Sequence, residues 1–445
     1  MKVSIIGAGY VGLVTGVCLA EKGHQIVCVD VDQEKVEKIN AAVSPIYEEG
    51  LPELLKRNAG QRLTATSDCR VAVLSTDITF ITVGTPCKGD EIDLTYLKEA
   101  SRQVGEALAE KSTYHVVVVK STVVPGTTEC VVRPILETAS QKRAGRDFGV
   151  GTNPEFLTEG HAIQDFMQPD RIVIGGIDQR STNLIERLYD GFVGIPRLRT
   201  TNKTAEMIKY ASNCLLATLI SFSNEMANLC SVIGGIDIID VLHGVHLSNY
   251  LTVRLNDGMM HPAPITAFVQ AGCGYGGSCL PKDVKAMISY GRQRGSPMLL
   301  LEAVNSINER QPAKVISLLE KHFSSLRGIR IGILGLSFRP ETNDLRESPA
   351  IPIIQALLPA GASVKAYDPV SISEARKIFS DNQIQFCNQL SEVIEGVDAL
   401  VLVTRWKEFV KVPQLISKLD NPPLVIDGRR MWDKNDFTHY DGIGL

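Results

Sequence analysis

The sequence predicts an α/β protein with two Rossmann-like, doubly wound domains joined by a long central helix. Three observations support this fold class: a glycine-rich turn between an apolar strand and a helix at the N-terminus, a second series of short apolar strands after residue 327, and an apolar stripe with helical spacing between them. We expect a Rossmann domain over residues 1–199, a helical linker and dimerisation domain over 200–322, and a second Rossmann-like domain over 323–445.

The N-terminal segment has the arrangement of a dinucleotide-binding fingerprint. Residues 2–6 form an apolar strand, the segment from Gly7 through Gly9 to Gly12 reads Gly-x-Gly-x-x-Gly, and a second strand ends at Asp30. This order places the phosphates of a dinucleotide at a helix N-terminus. Asp30 would bond the ribose hydroxyls and, with Asp32, would repel a ribose 2′-phosphate. We therefore expect NAD rather than NADP.

Composition excludes several other classes of protein. Residues 3–20 carry no charge, but their spaced glycines and the strand that ends at Asp30 argue against a signal peptide or membrane span, and no other segment looks membrane-spanning. The net charge of −4 favours neither nucleic acid nor membrane as a partner. None of the ten cysteines forms a CxxC pair, so we expect no disulfide framework, no metal site and a cytoplasmic location.

Two further strands predict the cofactor edge of the first sheet. The apolar runs 78–83 and 115–120 end at Thr85 and at Ser121-Thr122, and parallel strands buried on both faces bind ligands beyond their carboxyl ends. We expect these hydroxyls to face the cofactor. A third strand near 148–150 leads to Glu155 and Glu159, which would share a face if this segment were helical and would otherwise lie in a solvated loop or helix start.

Residues 274–283, Gly-Tyr-Gly-Gly-Ser-Cys-Leu-Pro-Lys-Asp, place Cys279 between a glycine run and a helix start. Pro281 suits the first position of that helix, and Asp283 follows in its first turn. A thiol at a helix N-terminus favours the thiolate, and the glycines allow backbone to approach a ligand closely. The alternative is a buried cysteine beside a glycine turn.

The central stripe predicts a helix that runs from about residue 200 to 233, with Lys209 and Asn213 one turn apart beside the apolar face. Taken alone, Lys209 could equally be a solvated lysine. After residue 327, a strand ending at Asp368 belongs to a degenerate Rossmann half without the glycine fingerprint. It suggests a second nucleotide site, at which Arg346, Arg429 and Arg430 could meet phosphate or ribose.

In this order, the motifs resemble those of the nucleotide-sugar 6-dehydrogenases, the family of UDP-glucose and GDP-mannose dehydrogenases, nearly from end to end. The resemblance implies an NAD-binding first domain, a nucleotide-sugar-binding last domain and a homodimer formed through the long helix. The segments that carry it are Gly7–Gly12, Gly84-Thr-Pro, Lys120-Ser-Thr, Asn153-Pro-Glu-Phe-Leu, Lys209 with Asn213, Gly274–Asp283 and Asp344-Leu-Arg-Glu-Ser.

The resemblance also implies a reaction, in which two NAD oxidise a primary alcohol to a carboxylate through a thiohemiacetal and a thioester on Cys279. Lys209 and Asn213 would stabilise the oxyanion, Asp283 would position water, Glu155 would act as base in hydrolysis, and Thr122 would hold a water. The implied cofactor contacts add Tyr10, Val11, Lys35, Thr85, Ser121, Thr122, Glu159 and Arg346, and the implied substrate contacts are Glu155, Phe156, Leu157, Lys209, Asn213, Gly276, Arg339 and Arg429.

Three functions stay open at this point. Oxidation of UDP-glucose is favoured by the segments 427–430 and 280–283, although the second also occurs with GDP-mannose, and other nucleotide hexoses are alternatives. The segment 245–268, which contains Arg254 and Asp257, is longer than usual for the family, and Arg254 is the candidate for an arginine supplied to a partner subunit. A non-catalytic nucleotide-binding protein is the third reading, against which the complete catalytic set argues.

Overall fold

The structure is a computed structural model that describes residues 1–255 and 259–445. The chain divides into two compact units, unit one over Met1–Ser212 and unit two over Asn213–Leu445. Asp257, in the segment predicted to be long, lies outside the described residues.

Unit one alternates strands and helices, as the sequence predicts. Its strands are β1 (Lys2–Ile6), β2 (Gln25–Val29), β3 (Leu63–Thr66), β4 (Ile78–Ile81), β5 (Cys87–Lys88), β6 (Glu91–Ile92), β7 (Val116–Val119), β8 (Gly149–Thr152), β9 (Ile172–Gly176) and β10 (Arg197–Thr200). Its helices are α1 (Tyr10–Glu21), α2 (Gln33–Asn40), α3 (Leu51–Asn58), α4 (Cys69–Ser75), α5 (Thr95–Glu110), a π-helical turn (Thr128–Val132), α6 (Arg133–Ser140), α7 (Ala162–Met167), α8 (Gln179–Arg187) and the start of α9 (Asn202–Ile233).

The sheet of unit one has the strand order β10-β9-β8-β7-β4-β1-β2-β3. Its strands pair in parallel except β8 with β9, which are antiparallel. Alternate residues of the central strands enter two separate cores, one with Val3 and Ile5 and the other with Ile6 and Ile81. The predicted parallel strands, buried on both faces, are confirmed. Their carboxyl ends meet at one edge, where the turn after β1 opens.

Unit two contains the second sheet. Its strands are β11 (Thr252–Arg254), β12 (Met260–Pro262), β13 (Arg330–Leu334), β14 (Ser363–Tyr367), β15 (Gln385–Phe386), β16 (Ala399–Leu402), β17 (Leu424–Asp427) and β18 (Tyr440–Gly442). Its helices are the rest of α9, α10 (Ile238–His246), α11 (Leu280–Gln293), α12 (Leu299–His322), α13 (Ala350–Leu357), α14 (Ile372–Ala375), α15 (Leu390–Ile394) and α16 (Val412–Ile416), with 3₁₀ turns at Pro264–Phe268, Lys407–Lys411 and Lys434–Asp436. Arg254 is exposed at the end of β11.

The main sheet of unit two has the order β15-β14-β13-β16-β17-β18, and all its pairs are parallel. This is the doubly wound order of a Rossmann fold, with the first strand at the centre and the chain turning outward in both directions. The predicted fold class, two Rossmann-like sheets and a long central helix, is confirmed.

Helix α9 spans 32 residues, and the boundary between the units falls within it. Among the described residues, α9 is the helix that is long and apolar enough to cross a membrane. Of its most apolar stretch, 33% is buried. Core helices of other proteins pass the same test. The sequence analysis expected no later segment to look membrane-spanning, and α9 contradicts this expectation by its length and composition alone.

Candidate active site

The glycine-rich turn of unit one leaves room for a dinucleotide. Gly7 has a φ of +99°, and a Cβ on Gly12 would lie 1.9 Å from the carbonyl oxygen of Gly7, so both positions require glycine. A Cβ on Gly9 would meet nothing within 4 Å, and no side chain caps the α1 amides that follow it. Open space before an uncapped helix N-terminus fits a diphosphate.

Asp30 lies beside this turn at the end of β2. One carboxylate oxygen accepts from the amide of Ala8 at 2.9 Å and the other from the amide of Asp32 at 3.0 Å. Lys35 lies 3.8 Å away. Each carboxylate oxygen has a second lone pair for a ribose hydroxyl. The side chain of Asp32, by contrast, caps α2 by accepting from two of its amides, including that of Lys35.

The hydroxyl of Tyr10 points to a buried carboxylate that the sequence analysis did not single out. It donates to Glu48, which also accepts from the amides of Gly160 at 2.8 Å and Ala162 at 2.7 Å. Glu48 therefore links the start of α1 to the loop that contains Glu159. Glu48 belongs to no recognisable motif, because its partners are 38 to 114 residues away.

The hydroxyls at the ends of β4 and β7 bond to each other's loops. Thr85 donates to the carbonyl of Thr122 at 2.7 Å, and Ser121 donates to the carbonyl of Val83 at 2.7 Å. These bonds hold the two loops together at the edge of the sheet that faces the glycine turn. The predicted cofactor residues are thus brought to one edge, where the hydroxyl oxygens can still accept a hydrogen bond.

The two carboxylates after β8 lie in a loop, not on a helix face, because α7 begins only at Ala162. Glu155 is buried, Phe156, Leu157 and Glu159 are partly buried, and the amide of Leu157 donates to Glu155 at 2.7 Å. Pro154, which follows Asn153, disfavours helical backbone at this point. The two carboxylates therefore share no helical face, and the loop that contains them is not the solvated loop of the alternative, because Glu155 is buried.

Lys209 and Glu155 form a buried ion pair. Their charged atoms are 3.0 Å apart, and the side chains are 5% and 6% exposed. Burial favours the neutral form of Glu155, but Lys209, the amide of Leu157 and Lys120 together lower its pKa. Glu155 is therefore ionised at neutral pH, and the solvated-lysine alternative for Lys209 is wrong.

Lys120 is a second buried cation near this pair, and the sequence analysis gave it no role. Its ammonium donates to the side-chain oxygen of Asn153 at 3.1 Å and to the backbone oxygen of Asn153 at 3.3 Å. Burial lowers the pKa of Lys120 to about 8, an effect that Glu155 opposes and Lys209 strengthens. Its sequence signal was the Lys-Ser-Thr motif, read there for its hydroxyls alone.

In unit two, Cys279 is the residue that immediately precedes α11, and its side chain is exposed. The helix begins at Leu280, so Pro281 is its second residue and not its first. The buried-cysteine alternative is wrong for this thiol. Cys279 is the N-cap residue of α11, and the backbone potential at a helix N-terminus favours a thiolate.

Asp283 is buried in the first turn of α11, with 1% exposure. It accepts from the side-chain amide of Asn213 on α9 at 2.6 Å and pairs with Lys282 at 2.5 Å. Asn213 is therefore oriented by a carboxylate one helical turn after the exposed thiol. The structure thus joins three of the predicted catalytic residues, Cys279, Asp283 and Asn213, within unit two.

The glycines before Cys279 make close contact with protein. A Cβ on Gly276 would lie 2.2 Å from the carbonyl oxygen of Glu347, and one on Gly277 would lie 2.7 Å from the ring of Phe338. The amide of Gly277 also donates to the carbonyl of Arg346 at 2.8 Å. Gly276 and Gly277 therefore approach the loop between β13 and α13, whereas the sequence analysis expected the glycines to approach a ligand.

The arginines predicted for phosphate or ribose are placed differently from one another. Arg429 donates to the carbonyls of Val403 at 2.6 Å and Gly274 at 2.7 Å, so it anchors the glycine loop. Arg430 is buried against Asp237 at 2.8 Å. Arg346 is exposed and pairs with Asp344 at 2.7 Å, whereas Arg339 is partly buried in the loop after β13.

The sequence analysis did not single out Arg405, which lies at the carboxyl end of the second sheet. Burial, followed by the positive charge of Arg429, lowers its pKa. It donates to Gln270 and to the backbone carbonyl of Arg429, and its Nε has no hydrogen-bond partner among the described residues. Among the described ion pairs none includes Arg405 or Arg429, and two adjacent guanidinium groups of this kind favour a bound anion.

Asp368, at the end of β14, is held by groups of the protein. It is fully buried and accepts from the amides of Leu336 at 2.8 Å and Ser337 at 3.1 Å, which belong to the turn after β13. The contact with Leu336 corresponds to that of Asp30 with Ala8 in unit one. Arg405 and Arg429 follow the ends of β16 and β17.

Comparisons with known proteins agree with this organisation. Three models of the UDP-glucose/GDP-mannose dehydrogenase family match the chain: its NAD binding domain at residues 1–193, its central domain at 203–310 and its UDP binding domain at 332–434. A UDP-glucose 6-dehydrogenase of Haloferax volcanii is 41% identical, with 100% of both chains covered. A GDP-mannose 6-dehydrogenase of Pseudomonas aeruginosa is 37% identical, with 96% of both covered. A solved UDP-glucose dehydrogenase of Pyrobaculum islandicum has a TM-score of 0.90 at 36% identity, with 100% of this chain and 97% of that chain covered.

Proposed function

The chain belongs to the UDP-glucose/GDP-mannose dehydrogenase family and is an NAD-dependent nucleotide-sugar 6-dehydrogenase, and we propose that its substrate is UDP-glucose, which it oxidises to UDP-glucuronate through covalent intermediates on Cys279. The observation that carries the covalent step is the exposed Cys279 thiol at the start of α11, one turn before the buried Asp283–Asn213 contact. A buried carboxylate and amide beside an exposed thiol suit nucleophilic catalysis.

The proposed reaction has four steps. The C6 alcohol loses a hydride and a proton to give an aldehyde, and the Cys279 thiolate adds to its carbonyl carbon to form a thiohemiacetal. Loss of a second hydride and of the hydroxyl proton gives a thioester. Water then attacks the carbonyl carbon, the C–S bond breaks, and the carboxylate and the thiol are released. NAD, when bound by the glycine turn and Asp30, accepts one hydride in each oxidation. Covalent capture prevents release of the aldehyde.

The surrounding residues suit these steps. We propose that the ammonium of Lys209 and the amide of Asn213 stabilise the oxyanion, because a cation and a neutral donor favour developing negative charge. Asp283 would orient water and Asn213. Glu155, which is ionised in unit one, would take the proton from the attacking water, and Thr122 would hold a water nearby.

Glu155→Gln tests the role of Glu155 as the base. The amide keeps the shape but cannot accept a proton, so both oxidations proceed and hydrolysis stops. We expect a burst of about two NADH per active site, then a phase ~10³-fold slower than wild-type turnover. Intact-protein mass spectrometry should show an acyl adduct that the double variant with Cys279→Ala lacks.

Glu53→Gln makes the same chemical change at an exposed position of α3 and should turn over normally. A Glu155→Gln protein without the burst would assign Glu155 to an earlier step. Acid production by Cys279→Ala at a near-normal rate would contradict covalent catalysis.

GDP-mannose is the second candidate substrate, because a GDP-mannose 6-dehydrogenase is 37% identical to this chain. NADH formation with a panel of UDP- and GDP-hexoses distinguishes the two. The highest kcat/KM is expected with UDP-glucose. Preference for a GDP-sugar would overturn the substrate proposal, and binding without NADH formation would support a non-catalytic protein.

We also propose a cytoplasmic homodimer with the three-domain division at 199/200 and 322/323. The apolar stripe of α9 supports the dimer, because Leu215, Phe222 and Leu229 recur every seven residues and are 47–55% exposed in the protomer. A seven-residue repeat on one helix face is typical of helix–helix packing. All ten cysteines lie among the described residues, and the absence of a disulfide between them there supports a reducing compartment.

A further inference from the structure

Glu206, on the first turns of α9, is a buried carboxylate that the proposed reaction does not use. It is 2% exposed. One oxygen accepts from the amide of Gly126 at 2.5 Å and the other from the amide of Thr128 at 2.8 Å. Among the described ion pairs of unit one, none includes Glu206. The carboxylate therefore binds the backbone amides of Gly126 and Thr128 together with the Thr128 side chain, at the end of the loop that begins with Ser121-Thr122.

This contact closes a ring of interactions around the Lys209–Glu155 pair. The hydroxyls of Thr128 and Thr152 are 2.9 Å apart, and Thr152 is the last residue of β8, three residues before Glu155. Glu155 pairs with Lys209 at 3.0 Å, and Lys209 follows Glu206 by three residues, about one turn of α9. Each of the three segments, α9, the loop after β7 and the end of β8, is thus tied to both others.

Burial of the ionised Glu206 carboxylate at this position reduces the stability of the fold. Burial raises the pKa of Glu206 to about 7, because the bonds from Thr128 and Gly126 offset burial only in part and Glu129 adds like charge. The lysines on its own helix are engaged elsewhere: Lys203 contacts Glu129 at 3.8 Å, and Lys209 pairs with Glu155.

The direction of this pKa shift shows how the charge of Glu206 affects the stability of the fold. An acid whose folded pKa is raised binds its proton more tightly in the folded state, so stability falls as the pH rises from the unfolded value towards 7. Ionised Glu206 therefore opposes folding above pH 7. A group that is kept at a cost to stability is expected to serve function.

We propose that Glu206 is a positioning residue: its carboxylate holds the segment Thr122–Thr128 against α9 and thereby sets the geometry of the Lys209–Glu155 pair. The inference rests on the proposed roles of Lys209, Glu155 and Thr122 and adds a residue that touches neither substrate nor cofactor. The ionised carboxylate of Glu206 accepts a hydrogen bond from both amides. The protonated form keeps one acceptor oxygen and turns its O–H donor towards the other amide.

Glu206→Gln tests the proposal, with Lys203→Gln as the control one turn earlier on α9, where the lysine side chain is 58% exposed. The Gln oxygen accepts one amide, and its NH₂ group faces the other. We expect kcat to fall ~10- to 100-fold, the range that a misplacement of about 1 Å can cost, with the sugar KM little changed. The wild-type kcat should rise through pH 7 as Glu206 ionises, and this rise should be absent in Glu206→Gln. Hydrogen exchange of the amides of Gly126 and Thr128 should accelerate. Lys203→Gln should match the wild type in all of these.

Thr128→Val provides a second test if Glu206→Gln does not fold. It removes the hydroxyl that links to Thr152 and that lowers the pKa of Glu206, and it keeps the backbone amide that Glu206 accepts, so kcat should fall while its rise persists at a higher pH. Wild-type kcat and pH profile in folded Glu206→Gln, or wild-type kcat in Thr128→Val, would overturn the proposal. The assays use whichever nucleotide sugar the wild type oxidises, so a wrong substrate assignment leaves them decisive. A missing burst in Glu155→Gln would instead refute the proposed base.

Discussion

At the scale of single residues, the interior of unit one contains buried charged side chains, which are rare in protein cores. Lys120, Glu155 and Lys209 are all buried, and the two cations each influence the acid. Breaking a buried pair is costly because the remaining charge loses its partner. The net effect on Glu155 is a lowered pKa, so each lysine weakens it as a base while keeping it ionised.

Lys120→Met is predicted to change the pH dependence of the hydrolytic step. Burial lowers the pKa of Lys120 to about 8, so its ammonium is present below pH 8 and is lost as the pH rises through that value. Loss of this charge makes Glu155 more basic, and the wild-type decay of the acyl adduct should accelerate ~2- to 10-fold above pH 8. In Lys120→Met the acid limb should move to higher pH, and the inflection near 8 should disappear. Single-turnover decay measured against pH checks this.

Lys111→Met is the matched control, because Lys111 is also buried in unit one but donates to the carbonyls of Val73 at 2.8 Å and Thr76 at 2.7 Å. It should alter stability without moving the acid limb. Superimposable profiles for Lys120→Met and the wild type would show that Lys120 has no influence on the base.

At the scale of elements, the loop before α11 is held by backbone contacts that exclude a side chain. A Cβ on Gly276 would lie 2.2 Å from the carbonyl oxygen of Glu347. This oxygen belongs to the backbone and is not the flexible end of a side chain. Glu347 itself has a φ of +52°, so its own backbone is constrained. The position of Cys279, three residues later, therefore depends on the loop between β13 and α13.

Gly276→Ala should accordingly destabilise unit two by about 1–3 kcal/mol, the usual cost of overpacking. It should also lower kcat, because the loop must move and carry Cys279 with it. Urea unfolding and NADH formation measure the two effects. Gly191→Ala is the control, since its Cβ would meet only the flexible side chain of Lys22 at 3.8 Å. Wild-type stability and rate in Gly276→Ala would show that the loop adapts without strain.

At the scale of the whole molecule, α9 presents apolar residues that the protomer does not cover. Leu229→Glu places a charge on this stripe, where the leucine is 51% exposed. If the stripe forms the dimer, desolvation of the carboxylate should weaken association by at least ~10-fold in Kd. Light scattering coupled to size-exclusion chromatography, at several concentrations, reports the mass.

Val193→Glu is the control, because Val193 is 90% exposed in unit one outside the helices. It should leave the mass of the wild type unchanged. A monomeric wild type, or a Leu229→Glu protein with the mass of an intact dimer, would contradict this assignment of the interface.

The sequence by itself determined the features that depend on neighbours along the chain. The first strand, Lys2–Ile6, matches its predicted bounds, and the position of Cys279 at a helix start follows from local residue types. Period-two and period-3.6 patterns and glycine turns act over a few residues, so they can be read directly.

The tertiary structure decided which polar residues are brought together. The partner of Lys209 is 54 positions away in the numbering, and the amides that Glu206 binds are 78 and 80 positions away. Asp368 accepts from a turn more than 30 positions earlier. Burial changes the charge preference of such groups, and burial is set by packing between distant elements. For this reason the sequence analysis assigned no role to Glu48 or Glu206, and it read the Lys-Ser-Thr motif that contains Lys120 for its hydroxyls alone.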